Sequence, residues 1–257
     1  MSLAQNPIIK VQNLTLGFGQ QILMQDINFQ IQPGEIFFIL GGSGSGKSSL
    51  LKHMIGLYEP KAGQVLIQGQ DLHQADSEQR FQLLQKIGVS FQTGALFGSM
   101  NLEQNVALPL HELTDLPREA ITSIVHMKLY LVGLGGSGHL MPAELSGGMQ
   151  KRAAIARAMA LDPLILFLDE PSAGLDPITS AELDVLIQNL AEFLGITFVI
   201  VSHELQSIFN IAQRLIILDS REKKIAASGQ PQYIRDHPPS DWVHRFLHPE
   251  MSLENTF

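Results

Sequence analysis

The chain has 257 residues, 45% of them apolar and only 16% charged, which excludes a disordered chain and leaves room for one large domain or two closely joined lobes. Seventeen basic against twenty-five acidic residues give a net charge of −8, which argues against a broad nucleic-acid-binding surface while a local basic patch stays open. Without cysteine there is no disulfide, thiolate nucleophile or Cys-ligated zinc.

The N-terminal MSLAQNPIIK lacks a charged segment followed by an apolar one, so no secretory signal is expected. Ile8–Val11, Leu14–Phe18 and the alternating Ile27, Phe29 and Ile31 predict antiparallel strands. A Pro33-Gly34 turn leads into Glu35–Leu40, apolar throughout after Glu35, as suits a strand buried on both faces, and a Gly-rich loop and a helix from about Gly46 to Ile55 follow. Between about residues 93 and 160 the pattern turns helical: Pro117 suits a first turn, Ile121, Ile124, Val125, Leu129 and Val132 recur at helical spacing, and Gly133 is a stop. Strand Leu164–Leu168, a helix near Thr179–Phe193 ended by Gly195, strand Thr197–Val201 and a hairpin of Leu215–Asp219 with Lys224–Ala227 complete the core. In the tail, Trp242, Val243, Phe246 and Leu247 fall on one helical stripe, which can pack on its own core or clasp a second subunit. Strands alternating with helices predict an α/β fold with a largely parallel sheet and an inserted helical lobe. Spanning a membrane takes about 18 consecutive apolar residues, and runs such as Leu164–Leu168 and Phe198–Val201 are far shorter, so a soluble, cytoplasmic protein is expected, able to sit on a membrane by binding something that spans it.

The most specific motif is Gly41-Gly42-Ser43-Gly44-Ser45-Gly46-Lys47-Ser48, followed by Ser49, a complete phosphate-binding loop between a buried strand and a helix. Glycines let backbone N–H groups converge on phosphate oxygens, and the helix N-terminus adds its positive dipole end. Lys47 is placed to reach the β- and γ-phosphates and Ser48 to ligate Mg²⁺; strand–loop–helix context sets this apart from a chance Gly-rich turn. Strand Leu164–Leu168 ends in Asp169-Glu170, alone a solvated turn, but beside a P-loop a Walker B pair in which Asp169 holds Mg²⁺ and Glu170 polarises the attacking water. Leu145-Ser146-Gly147-Gly148-Met149-Gln150 opens a further helix: Ser146 can cap it, and two glycines leave its N-terminus bare for an anion, although spacing alone allows an ordinary capped helix.

With these three in order the chain resembles the ATP-binding cassette (ABC) ATPases from about residue 8 to 230, Met149 being a departure from LSGGQ that leaves Ser146, Gly147 and Gly148 intact. The resemblance assigns Phe18 to the adenine-stacking position, in place of the more usual tyrosine. It assigns Gln92, after Ile87–Phe91, to the Q-loop, where it also meets Mg²⁺, and Ser172–Asp176 to the D-loop. His203, in Ser-His-Glu rather than Thr-His-Asp, takes the switch histidine. Taken singly, Phe18 is a packed strand residue, Gln92 a surface amide and His203 a backbone-satisfied histidine; only the ordered set lifts them. The resemblance implies a RecA-like P-loop NTPase core (about 1–92 and 161–228) with an antiparallel β subdomain, a helical subdomain (about 93–160) and a tail (about 229–257), all one ABC ATPase domain over 1–257. It implies ATP and Mg²⁺ as ligands, with Glu170, His203, Gln92 and Lys47 catalytic. It also implies a head-to-tail dimer of two copies, in which the partner's signature and D-loop complete each ATP site, and a separate membrane permease.

More finely, Phe91–Phe97, Leu145–Arg152 and Ser202–Phe209 are similar to the ATPases of Mla-type (MCE-associated) phospholipid transport. That similarity implies a peripheral protein on the cytoplasmic side of a bacterial inner membrane, serving an Mla-type permease and indirectly an MCE lipid-binding protein, with no nucleic-acid partner. Thr93–Met100 is the stretch expected to receive the permease, with Leu96 and Phe97 equally suited to lobe core. Another cargo (amino acids, metal complexes, lipoproteins) shares every catalytic motif. DNA-repair and translation ABC proteins need coiled-coil insertions or a second cassette, and neither is present. Gly133–Gly138 spells G-x-G-x-x-G but follows a helix, so a dinucleotide site is rejected. His237, His244 and His248 are too loosely spaced to predict a metal site.

Overall fold

Alternating apolar residues at the start of the chain build two paired strands, and the remaining elements follow in a mixed α/β order in the computed structural model, which describes residues 6–248. The first are β1 (Ile9–Phe18), β2 (Gln21–Ile31), β3 (Ile36–Gly41), α1 (Lys47–Met54), β4 (Ala62–Ile67), β5 (Gln70–Asp71), α2 (Ser77–Gln85) and β6 (Ile87–Ser90). Then come α3 (Leu102–Leu113), α4 (Arg118–Leu131), a 3-10 turn (Pro142–Glu144), α5 (Gly147–Ala158), β7 (Ile165–Asp169) and α6 (Pro177–Leu194). The chain closes with β8 (Thr197–Val201), α7 (Leu205–Ile211), β9 (Arg214–Asp219), β10 (Lys224–Gly229), α8 (Pro231–Asp236) and α9 (Asp241–Leu247). Expectations for residues 1–5 and 249–257 lie outside the described residues.

Two compact units result, residues 1–80 with 199–257, and residues 81–198. In the first, β1 pairs antiparallel with β2 (Ile9↔Ile31, Val11↔Phe29, Leu14↔Ile27) and with β4, and β5 extends the sheet beyond β4. The two short segments expected before Phe18 are one strand, interrupted by a bulge: Asn13 adopts φ +48 and its N–H donates to Asn28 Oδ1 at 2.8 Å. The bulge dictates Gly63 across the ladder, because a Cβ there would meet the Asn13 backbone and the Gln12 carbonyl. β3, buried along its length, pairs parallel with β9, and β10 returns antiparallel as the expected hairpin.

The start of β3 is fastened by charge. Glu35, 6% exposed, accepts from Arg214 Nε (2.5 Å) and Nη2 (2.7 Å) and from the Gln32 N–H (2.7 Å), and this pairing raises the Arg214 pKa. In α9, Val243 and Leu247 are buried, while Trp242 stacks on Phe246 with centroids 5.5 Å apart.

In the second unit, β6 and β7 run parallel with Ser90 opposite Leu168, and α3, α4 and α5 form the helical lobe. Lys128, whose side chain is 3% exposed, pairs with Asp162, itself at φ +51. α6 starts two residues before the expected Thr179, capped by Asp176 with Pro177 at the first position, and ends on Gly195 in the left-handed conformation. β8 leaves this unit with the Thr197 N–H on the Leu164 carbonyl, and just past its end, in the first unit, the Ser202 N–H reaches the Ile39 carbonyl. Among the described residues no helix is long and apolar enough to cross a membrane.

Candidate active site

In the first unit the phosphate-binding loop leaves β3 at Gly41, whose φ of +152 and close packing exclude a side chain: a Cβ would strike Ser45 Oγ and lie 2.8 Å from the Leu218 carbonyl of β9. The Ser45 N–H closes the loop on the Gly42 carbonyl at 3.2 Å, and the Leu50 N–H enters α1 by bonding the Gly46 carbonyl at 2.7 Å. Gly46 is the N-cap and offers no side-chain acceptor, so the amino end of α1 is left to an external anion. Lys47 Nζ curls over the same loop, donating to the Gly41 (2.8 Å) and Gly42 (3.1 Å) carbonyls. Ser43, Gly44 and Ser48 are exposed, whereas Ser45 is buried with its hydroxyl lacking a hydrogen-bond partner among the described residues. Ser49 gives its carbonyl to His53 Nδ1 at 2.7 Å. A loop of amides, one ammonium, an orphaned buried hydroxyl and an uncapped helix suits a polyphosphate.

Phe18 ends β1, 48% exposed as a residue, its ring edge-on to Tyr58 at 5.3 Å and 88°, a flat apolar surface that a purine can stack against. His203 is exposed just past β8, where the Ser202 hydroxyl accepts from the Glu204 N–H at 3.1 Å and shapes the turn.

In the second unit β7 ends in Asp169, 8% exposed, followed by half-buried Glu170 at φ +50, a left-handed conformation unusual for a side chain of that size. Gln92 is exposed two residues past β6. Lys151 of α5 joins the two exits, its ammonium donating to the Gln92 carbonyl at 2.5 Å and the Glu170 carbonyl at 3.3 Å. Burial pulls the Lys151 pKa below the usual lysine value, and the charges of Glu170 and Asp169 oppose that fall.

Ser146 caps α5 as expected, its Oγ accepting from the Met149 N–H at 3.3 Å, and Gln150 Nε2 bonds the Pro142 (3.1 Å) and Leu145 (3.3 Å) carbonyls to hold the approach. Gly147 and Gly148 form the first turn; an added Cβ at Gly148 would sit 2.5 Å from Thr179 Cγ2. Asp176 caps α6, accepting from the Ile178 and Thr179 N–H groups at 3.1 Å and from Thr179 Oγ1 at 2.6 Å, and the Thr179 hydroxyl holds its carboxyl below the usual range.

Within the first unit, then, Lys47 meets Gly41 and Gly42; within the second, Gln92 meets Glu170 through Lys151, and Gly148 meets Asp176 through Thr179. The family model for ABC transporters matches residues 24–173, a stretch that includes the phosphate loop, the signature sequence and both carboxylates. The chain belongs to the ABC transporter family.

Among its relatives in that family, the Haemophilus influenzae intermembrane phospholipid transport system ATP-binding protein MlaF is 40% identical over 88% of this chain and 85% of its own length. The Escherichia coli K12 MlaF is 39% identical over 90% and 85%. A Mycobacterium leprae protein, described as a probable ribonucleotide transport ATP-binding protein (mkl), is 46% identical over 76% of this chain but only 56% of its own length. Of solved ABC structures, the dimeric cassette MJ0796 in a post-hydrolysis state bound to ADP and Pi aligns with a TM-score of 0.77 at 30% identity, covering 87% of this chain and 98% of that one. The chain is therefore a nucleotide-binding ABC ATPase subunit with the fold of cassettes that dimerise.

Two residues of this ABC cassette escaped the motif reading. Lys151 is one; Arg157, further along α5, is the other, donating to the Ala95 (2.8 Å) and Gly94 (3.0 Å) carbonyls with its guanidinium 5.8 Å from the Phe97 ring. Burial lowers its pKa too. Lys151 stands early in α5 and Arg157 in its last turn, on a helix that carries Ala153, Ala154, Ile155 and Ala156 into the core, and in the sequence neither differs from a solvent-facing basic residue.

Proposed function

We propose that this cassette binds ATP with Mg²⁺, closes as a dimer with a second copy of itself and hydrolyses the nucleotide to drive a separate permease. The observation that carries the reading is the N-terminus of α1, which has no side-chain cap at Gly46-Lys47, together with a second helix N-terminus at Ser146–Gly148 whose first turn is two glycines behind the Ser146 cap. One triphosphate presents a single γ end, so two such tips on one nucleotide call for two chains, with Ser146, Gly147, Gly148 and Asp176 serving the partner's ATP.

In this assignment Phe18 stacks on the adenine, and Gly41, Gly42, Ser43, Gly44, Ser45, Gly46 and Ser49 line the phosphates. Lys47 neutralises charge on the β- and γ-oxygens, Glu170 takes the proton of the attacking water, and His203 contacts the γ-phosphate. Ser48, Gln92 and Asp169 are the metal-binding residues, an all-oxygen donor set of the kind a small hard cation prefers. Mg²⁺, when bound, supplies charge neutralisation to the phosphate oxygens.

Phospholipid is the cargo best supported, because the MlaF relatives align along most of both chains. The cassette then sits peripherally on the cytoplasmic side of a bacterial inner membrane, against an Mla-type permease with an MCE lipid-binding protein beyond it. Phe97, 49% exposed with its backbone held by the Asn105 side chain, supports the 93–100 stretch as the permease contact. Ribonucleotide cargo is the second reading, favoured by the mycobacterial likeness over a shorter share of that protein.

Glu170→Gln tests the chemistry: ATP binding is expected to persist while turnover falls by a factor on the order of 10³, about 4 kcal/mol of barrier. Wild-type turnover in that variant overturns the assignment. Affinity purification from membranes tests the cargo, and recovery of a ribonucleotide permease in place of an Mla-type one would sink the lipid reading.

A further inference from the structure

We propose that Lys151 is a positioning residue for ATP hydrolysis, fastening the Gln92 and Glu170 backbones to the helix that begins at the signature sequence; this rests on Glu170 being the general base. β6 and β7 are in register, with Ser90 opposite Leu168, so Gln92 and Glu170 each lie two residues past the last pair, side by side where the strands end. A single ammonium covers both exits: Nζ donates to the Gln92 carbonyl at 2.5 Å and to the Glu170 carbonyl at 3.3 Å. It has three protons to give, and two are committed to main-chain oxygens. These contacts are made with main-chain oxygens and fix backbone direction.

The Glu170 main chain has particular need of such a tie. At φ +50 it occupies the left-handed region that disfavours a residue with a Cβ, and such a conformation persists only where its surroundings hold it. Its carbonyl accepts from the Ala173 N–H at 3.2 Å within the following turn and from Lys151 at 3.3 Å, and only the second bond ties it to another element. Lys151 sits on the first turns of α5, whose N-cap is Ser146, so a rigid helix links the signature to the base. The same ammonium reaches the Q-loop carbonyl, so a displacement of Gln92 is passed to Glu170 through one side chain. Asp169 and Glu170 also act on Lys151 through their charges, which keeps the cation in place where burial disfavours it.

Lys151→Met retains the length and apolar stem and removes the donor. In the full-length chain it is expected to lower kcat at least about tenfold, with ATP KM and the affinity for a fluorescent ATP analogue within about twofold of wild type. Lys151→Arg, which restores a cationic donor, is expected to bring kcat back to within about threefold. Lys151→Met combined with Glu170→Gln is expected to be no slower than Glu170→Gln alone, as two changes acting through one group should be. The proposal is overturned by kcat within about twofold of wild type in Lys151→Met. It is equally overturned if kcat and nucleotide affinity fall together with the melting temperature and arginine gives no rescue, which is the behaviour of a scaffold contact. Should Lys151→Met not fold, Lys151→Gln carries the test: a several-fold loss of kcat at unchanged affinity supports the proposal and wild-type kcat overturns it. Glu170→Gln distinguishes the levels. If that variant is inactive while Lys151→Met runs at the wild-type rate, only the positioning role is lost; if it turns over normally, the general-base assignment goes and the positioning role with it.

Discussion

Replacing Gly148 by alanine tests the contact between the signature helix and α6. The new methyl carbon would lie 2.5 Å from Thr179 Cγ2, about 1 Å inside the ~3.5 Å at which carbon pairs come to rest. Thr179 has little freedom to yield: it is β-branched, it sits in the first turn of a helix, and its hydroxyl donates to Asp176 at 2.6 Å. Either χ1 turns and that bond is lost, at about 1 kcal/mol, or the turn of α5 is pushed outward, at about 1–3 kcal/mol. The helical preference of alanine over glycine returns at most ~1 kcal/mol, leaving a net loss of up to about 2 kcal/mol. Urea unfolding followed by circular dichroism reads this directly, independently of any contact Gly148 makes with nucleotide. The decisive variant is Gly148→Ala with Thr179→Ser, which deletes Cγ2 and keeps the hydroxyl on Asp176. Most of the lost stability should return, a coupling of up to about 2 kcal/mol. A double variant no more stable than Gly148→Ala refutes the steric reasoning.

Two further outcomes follow from buried charge. Asp162→Asn leaves the Lys128 side chain, 3% exposed, without its carboxylate, which is itself 77% exposed; a loss of about 1 kcal/mol in urea unfolding is expected, and Lys128→Met in the same background should recover much of it. His53 and His73 are both held below the ordinary value of 6.5, chiefly by burial. A histidine depressed in the fold carries fewer protons there than in the unfolded chain, so the stability it contributes is full above about pH 6.5 and declines as pH falls below it. Urea midpoints measured from about pH 7.5 down to about pH 5 should therefore drop, more shallowly in His53→Leu than in wild type; a flat profile contradicts the burial argument.

Much of this architecture is written in local patterns. Unbroken apolar runs at 164–168 and 198–201 mark the buried strands, and Gly195 marks the end of α6, because burial on both faces and a left-handed cap each demand particular residues. The phosphate loop is legible for the same reason: its glycines, lysine and serines serve local geometry. What escaped depends on distant partners. β1 reads as two segments because the bulge at Asn13 is settled by Asn28 and Gly63 on neighbouring strands. β4 carries that same Gly63, a residue that argues against a strand until the close approach of Asn13 accounts for it, and the two-residue β5 is too short to leave a period. The start of α6 was recoverable, since Asp176-Pro177 is a cap followed by a first-turn proline. Lys151 and Arg157 were not: a lysine and an arginine on a helix ordinarily face solvent, and only the fold brings carbonyls from 92, 94 and 95 to meet them.

The stacked Trp242 and Phe246 pair has a practical bearing on how this molecule can be observed. Its indole is the single one in the sequence, so every photon of intrinsic tryptophan emission originates in α9. Wavelength shifts or quenching on adding a ligand would announce a change in the neighbourhood of that short terminal helix, whereas occupancy beside Phe18 calls for a chromophore carried by the nucleotide itself.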